Sequence, residues 1–130
     1  MAAPTRQPSA SEVEFFRHNP SVAAYAAPDN SVVFNPFATL SQAERESVYR
    51  NESARIFMRQ NQAARPTREN FPLTEQQQRM DYPAYPAPYD PQQSVRETVA
   101  ARALAGDPSA GDVTPEQQRF TEELKFRMLK

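Results

Sequence analysis

The stretch SVVFNPFATLSQAERESVYRNESARIFMRQ, residues 31–60, decides how the rest of the chain is read. Val32 and Val33 lead into Phe34 as a short apolar strand, Asn35-Pro36 turns the chain, and Ser41 with Glu44 forms a capping box in front of a long charged helix. That helix is expected to run to about Gln60 or Ala64, because Pro66 disfavours helical backbone in the residue before it. Just upstream, Val22 to Ala26 forms a second apolar run, separated from the first by Pro28-Asp29-Asn30-Ser31. Proline at the second turn position with Asp and Asn after it is turn chemistry, so the two runs pair as a small hairpin. A lone two-stranded hairpin is marginal in water, and the following helix is the natural cover for one of its faces. At 100° per residue, Val48, Tyr49, Glu52 and Ile56 share one helix face and are expected to contact the hairpin or a neighbouring chain. The fold class is mainly α with one short β-hairpin.

Outward from this unit the sequence divides into an N-terminal arm (1–10), a folded body of helix, hairpin and main helix (11–64), a Pro/Tyr/Gln-rich belt (65–93) and two C-terminal helices (94–130). Ser11 with Glu14 reads as the cap of a first helix that carries Phe15 and Phe16 and stops near Asn19-Pro20. In the belt, closely spaced prolines favour an extended polyproline II path, with Tyr82, Tyr85 and Tyr89 as amphipathic anchors for a partner. Ser94 with Glu97 reads as a third capping box, and the helix behind it ends at Gly106, a natural left-handed stop. Thr114, Pro115 and Gln117 open the last helix, where Phe120, Leu124 and Met128 recur every four residues and ask for a partner surface, on the Val95/Val99 helix or on another chain. LTEQQQRM (73–80) and VTPEQQRF (113–120) share a Thr cap, Gln-Gln-Arg and a large apolar residue. They read either as two similar docking helices or as two uses of common capping chemistry.

Composition limits the core that these elements can build. Apolar residues are 38% of the chain, Pro is 13 of 130 residues, and mean hydropathy is -0.80. Such a chain has little burial to set against the entropy of ordering its backbone, so low globularity is expected, with the belt and terminal helices ordered on partners. Lys and Arg number 15 against 16 Asp and Glu, interspersed, which leaves no basic stripe for nucleic acid. No stretch approaches the length of a membrane span, and the first residues lack the apolar core of a signal peptide.

The search for chemistry returns little. There is no Cys, and His18 is the one imidazole, placed at the end of the first helix where the helix dipole favours its cation. The two glycines make no phosphate-cradling loop, and the acidic residues lack calcium-loop spacing. Glu52 is the single candidate acid: inside an apolar stripe it reads either as a carboxyl with a raised pKa or as the partner of Arg45, Arg55 or an Arg of a neighbouring chain. The chain is expected to be non-enzymatic, with no cofactor, no metal and no small-molecule substrate.

The segments NPSVAAYAAPDNSVVFNPFATLSQAERESVYRNESARIFMR (19–59) and TVAARALAGDPSAGDVTPEQQRFTEELK (98–125) resemble, in order and in phrases such as VVFNP, RNESAR and GDPSAG, small uncharacterised proteins encoded among the virion genes of tailed bacteriophages. Residues 1–18 and the belt lie outside the resemblance. It implies a structural or assembly component of the virion, at the portal-tail region or the capsid surface, made in the host cytoplasm and bound to a large symmetric protein assembly. The alternative is a soluble adaptor that recruits a partner through the Pro/Tyr-rich segment.

Overall fold

The computed structural model describes residues 3–82 and 90–129; Tyr85 and Tyr89, and with them most of the proline-dense part of the belt, lie outside the described residues. Along the chain come α1 (Ala10–His18), β1 (Ala24–Ala26), β2 (Val32–Phe34), α2 (Gln42–Gln60), α3 (Glu75–Gln78), α4 (Gln93–Ala105) and α5 (Pro115–Met128), with 3₁₀ turns at Gln62–Ala64 and Pro108–Ala110. The protein is mainly helical with one antiparallel hairpin among the described residues, the class that the sequence predicts.

In the hairpin Ala24 faces Phe34, Tyr25 faces Val33 and Ala26 faces Val32. Its turn closes through the Ala27 N–H to Ser31 O at 2.8 Å, with Asp29 Oδ1 accepting the Ser31 N–H at 3.1 Å. Asn30 takes the left-handed backbone (φ 67°), which Asn tolerates better than most side chains. Because successive strand residues point to opposite faces, the hairpin is covered on both sides. Phe16 of α1 packs on Val33, Ala27 and Tyr25, while Ile56 of α2 packs on Val32 and Ala24 with Val48 and Tyr49 beside it. The expected cover by α2 is therefore present, and Ile56 is buried within the chain. The arm adds a third layer of support: Pro4 O accepts the Val32 N–H at 2.8 Å, and Thr5 forms a parallel bridge with Val32.

The caps follow the sequence in two places and depart from it in two. Ser41 and Glu44 make the predicted box on α2, at 3.1 and 3.0 Å, and Thr114 with Gln117 caps α5. Helix α1 starts earlier than Ser11/Glu14 predicts, with Ser9 as cap and Glu12 as its reciprocal partner. The earlier register wins because Glu12 also receives two bonds from Arg6, at 2.6 and 2.9 Å, and the Tyr25 hydroxyl. Glu14 meets only Arg17 on the surface. At α4 the Ser94/Glu97 box is absent: the helix begins at Gln93, and Glu97 is occupied by Gln93 Nε2 at 3.0 Å with Arg65 at 3.9 Å. Asp90 organises this start instead, its Oδ1 accepting the Gln92 N–H at 3.0 Å. Gly106 is left-handed (φ 72°) and ends α4 as predicted.

Helix α4 lies between α2 and α5 and is buried almost all round, which its short alanines allow by letting the neighbouring helices approach closely. Ala101 and Leu104 meet Ala54 and Met58 of α2 and Leu124 of α5, and Val95, Val99 and Ala100 meet Phe71. The Phe120/Leu124/Met128 stripe thus takes the first of its two predicted partners, the Val95/Val99 helix. Leu124 is enclosed there, and the Phe120 ring meets Phe71 edge-on at 5.3 Å.

The two similar octapeptides dock on each other. Gln77 and Gln117 are buried and exchange amide hydrogen bonds, Gln77 Nε2 to Gln117 Oε1 at 3.1 Å and Gln117 Nε2 to Gln77 Oε1 at 2.7 Å. Each Oε1 also accepts the backbone N–H of its own cap, Thr74 at 3.0 Å and Thr114 at 3.1 Å. Each Nε2 also reaches the carbonyl two residues before the other cap, Pro72 at 2.9 Å and Asp112 at 3.4 Å. The relation is an approximate local two-fold in which both amides use their full donor and acceptor capacity. Removing one amide by Gln77→Ala or Gln117→Ala strands the other in the core, at an expected cost of about 1–3 kcal/mol. In a urea-denaturation double-mutant cycle, the Gln77→Ala/Gln117→Ala double change should cost clearly less than the sum of the two singles; additive costs would show that the two amides are not coupled.

Four carboxyls, Glu12, Asp29, Glu44 and Asp90, are lowered in the folded chain, and Glu12 and Asp90 are the most strongly held. Arg6, helped by the Ser9 N–H and Tyr25, holds Glu12 well below the usual carboxylate range, and Arg68 with the Gln92 N–H does the same for Asp90. A carboxyl lowered in the folded state stabilises above its ordinary value of about 4 and loses that contribution as pH falls further. The melting temperature should therefore drop steadily below about pH 4.5, and Glu12→Gln or Asp90→Asn should lower it at pH 7 while flattening the acid limb. An unchanged acid limb in both variants would contradict this assignment.

Candidate functional site: a polar cleft at Glu52 and an apolar groove at the end of α5

Glu52 projects from the middle of α2 toward the outer edge of β1, at the meeting of two openings of about 320 and 400 Å³ that share Val22, Ala24, Glu52, Arg55 and Tyr82. Burial raises its carboxyl above the usual range, against the opposing pull of Arg55, Arg59 and the Ala26 N–H. Arg45, one of its expected partners, lies instead over the Phe34 ring at 4.0 Å. The guanidinium groups that do face Glu52 are engaged in holding the fold. Arg55 donates to Thr98 Oγ1 at 2.9 Å and the Tyr82 hydroxyl at 3.2 Å, and Arg59 donates to Ala27 O at 2.7 Å and Asn30 Oδ1 at 3.0 Å.

The other acids that line these openings are committed elsewhere. Asp107 accepts the Ser109 N–H, and Glu97 is bonded by Gln93. Among the described residues no three His, Cys, Asp or Glu side chains are grouped to hold a metal ion. In geometric terms the cleft holds the hairpin edge to α2 through Arg59, which donates to the Ala27 carbonyl, with Glu52 lining the same opening as Ala24 and Ala26. Tyr82, expected to anchor a partner, stacks against Arg55 with its ring 5.9 Å from the guanidinium and remains partly exposed.

A second concavity, of about 360 Å³, runs between α2, the end of α4 and the end of α5. Tyr49, Arg50 and Ser53 come from α2, Leu104 from α4, and Lys125, Met128 and Leu129 from α5 and its last turn. Beside it, Phe126 is 60% exposed and Leu129 83% exposed. Of the sequence-predicted partner-binding residues, Tyr49 and Met128 line this groove, Val48 and Glu52 line the polar cleft, and Ile56, Leu124 and Phe120 serve the interior. Residues that the sequence reading passed over are Arg50, Ser53, Leu104, Lys125, Phe126 and Leu129. Phe126 and Leu129, three apart and off the Phe120/Leu124/Met128 stripe, carry the signal that could have found them. Among the described residues no helix is long and apolar enough to cross a membrane.

No family model matches the chain, and neither a curated protein nor a solved structure matches it.

The raised Glu52 carboxyl has a definite linkage sign. A carboxyl whose folded value is raised binds its proton more readily in the folded state, so folding is penalised once pH rises through that value, and the penalty vanishes below the ordinary unfolded value of about 4.3. Glu52→Gln should therefore raise the melting temperature at pH 7, with the gain closing as pH approaches 4. A fall at pH 7 would mean that the attraction of Arg55 and Arg59 outweighs the cost of burial.

Proposed function

We propose that this protein is a non-enzymatic assembly subunit that binds neighbouring protein subunits through the exposed end of α5, in the setting that its resemblance to tailed-phage virion proteins implies. The observation that carries the reading is the concentration of exposed apolar surface at one place. Among the described residues Leu129 and Phe126 are the two most exposed large apolar side chains, 83% and 60%, in a chain poor in apolar residues; both lie at the end of α5, and Leu129 lines an apolar groove there. An exposed apolar cluster rimmed by polar residues is the usual mark of a protein contact.

The most natural partner is a portal, tail or capsid subunit, and the polar Glu52 cleft has a structural part in this account. On this reading the protein co-purifies with virus particles in a fixed ratio. Phe126→Asp with Leu129→Asp should abolish incorporation while keeping the helicity of the chain, with the melting temperature falling by a few degrees because the added carboxylates oppose the dipole at the end of α5. Particles that retain the variant at the wild-type ratio, or a wild-type protein that never associates with particles, would overturn the proposal.

A further inference from the structure

The groove at the end of α5 has a charge character that narrows what can lie in it. Its floor and walls are apolar, from Leu104, Met128, Leu129 and the Tyr49 ring, and the charged side chains that line it are Arg50 and Lys125, with no carboxylate among the lining residues. Arg50 is held at one side by a long bond to Ala105 O at 3.4 Å. Lys125 stands exposed on the opposite wall. Ser53 lines the same groove, and its Oγ is buried without a hydrogen-bond partner among the described residues. A buried hydroxyl without a partner is costly, so the free protein keeps an uncompensated polar group at the base of an otherwise apolar trough.

We propose that this groove seats an acidic amphipathic helix of a partner protein, with the apolar face of that helix on Leu104, Met128 and Leu129 and its carboxylates on Arg50 and Lys125. The proposal rests on the assembly role argued above and names the chemistry of the partner. The walls are helices, so a fourth helix can add side chains into the gaps between them, whereas an extended strand finds no sheet edge among the lining residues. Cations on both walls give the occupant its sign and its register, since a basic helix would meet like charge on each side.

The test uses the full chain and two synthetic 18-residue amphipathic helices with the same leucine face, one flanked by glutamates and the other by lysines. Fluorescence anisotropy should show the glutamate peptide binding at least tenfold more tightly, with affinity falling as salt rises, and methyl NMR should place its effects on Leu104, Met128 and Leu129. Lys125→Glu, alone and with Arg50→Glu, should weaken the glutamate peptide tenfold or more and favour the lysine peptide. Lys125→Glu alone keeps the test valid if loss of the Arg50 bond disturbs folding.

Equal binding of both peptides, or shifts away from these methyl groups, would overturn the proposal. So would concentration-dependent self-association that moves the same methyl groups without peptide, which would give the groove to a second copy of the chain. If particle incorporation survives Arg50→Glu/Lys125→Glu but is lost in Phe126→Asp/Leu129→Asp, the assembly role stands and the acidic helix does not.

Discussion

Helix α4 can occupy the middle of the molecule only because the polar groups that it carries inward find partners. Arg96, almost completely enclosed, donates to Phe71 O at 3.1 Å, Gln93 Oε1 at 2.9 Å and Asp90 Oδ2 at 3.3 Å. Thr98 donates to Ser94 O at 2.7 Å and accepts from Arg55. A guanidinium in such a place would be ruinous if unpaired, so the segments that supply its partners, Phe71 and Asp90, are drawn onto the helix. The same constraint explains how a chain with few large apolar residues still builds a continuous interior. Alanines provide close approach, and hydrogen-bonded polar side chains fill the positions that leucines and phenylalanines would otherwise occupy.

The sequence was legible where the signal is local. Ser41/Glu44, the turn from Pro28 to Ser31, Gly106 and Thr114/Gln117 each specify geometry within four residues, and each appears as expected. The misplaced caps are cases of long-range chemistry overriding a correct local grammar. Ser9/Glu12 has the same spacing as Ser11/Glu14, and the choice between them is made by Arg6 and Tyr25, which no short window includes. Burial of α4 was hidden for a related reason. VRETVAAR looks like an exposed surface until Asp90, Arg65 and Phe71 are placed around it.

The candidate sites divide along the same line. Glu52 was visible as an acid inside an apolar stripe, but its surroundings tie it to the hairpin edge. The groove at the end of α5 was legible only in part: Tyr49 and Met128 were marked for a partner, but their meeting with Leu104 was not, since the three are far apart in the chain and belong to three different elements. A surface assembled from three helices has no spacing signature. Two of the three residues of the C-terminal stripe, Phe120 and Leu124, are used internally, and the third, Met128, lines the groove.

The paired amides of Gln77 and Gln117 bear on how the chain comes to be folded. They join positions 40 residues apart, and closing a loop of that length costs roughly 3 kcal/mol of chain entropy before any contact repays it. Helix α3 spans only Glu75–Gln78, too short to persist alone, so it can exist only after the last helix has arrived. Helices α3, α4 and α5 are therefore bound into one cooperative unit. A nascent chain cannot complete this core until α5 has been made.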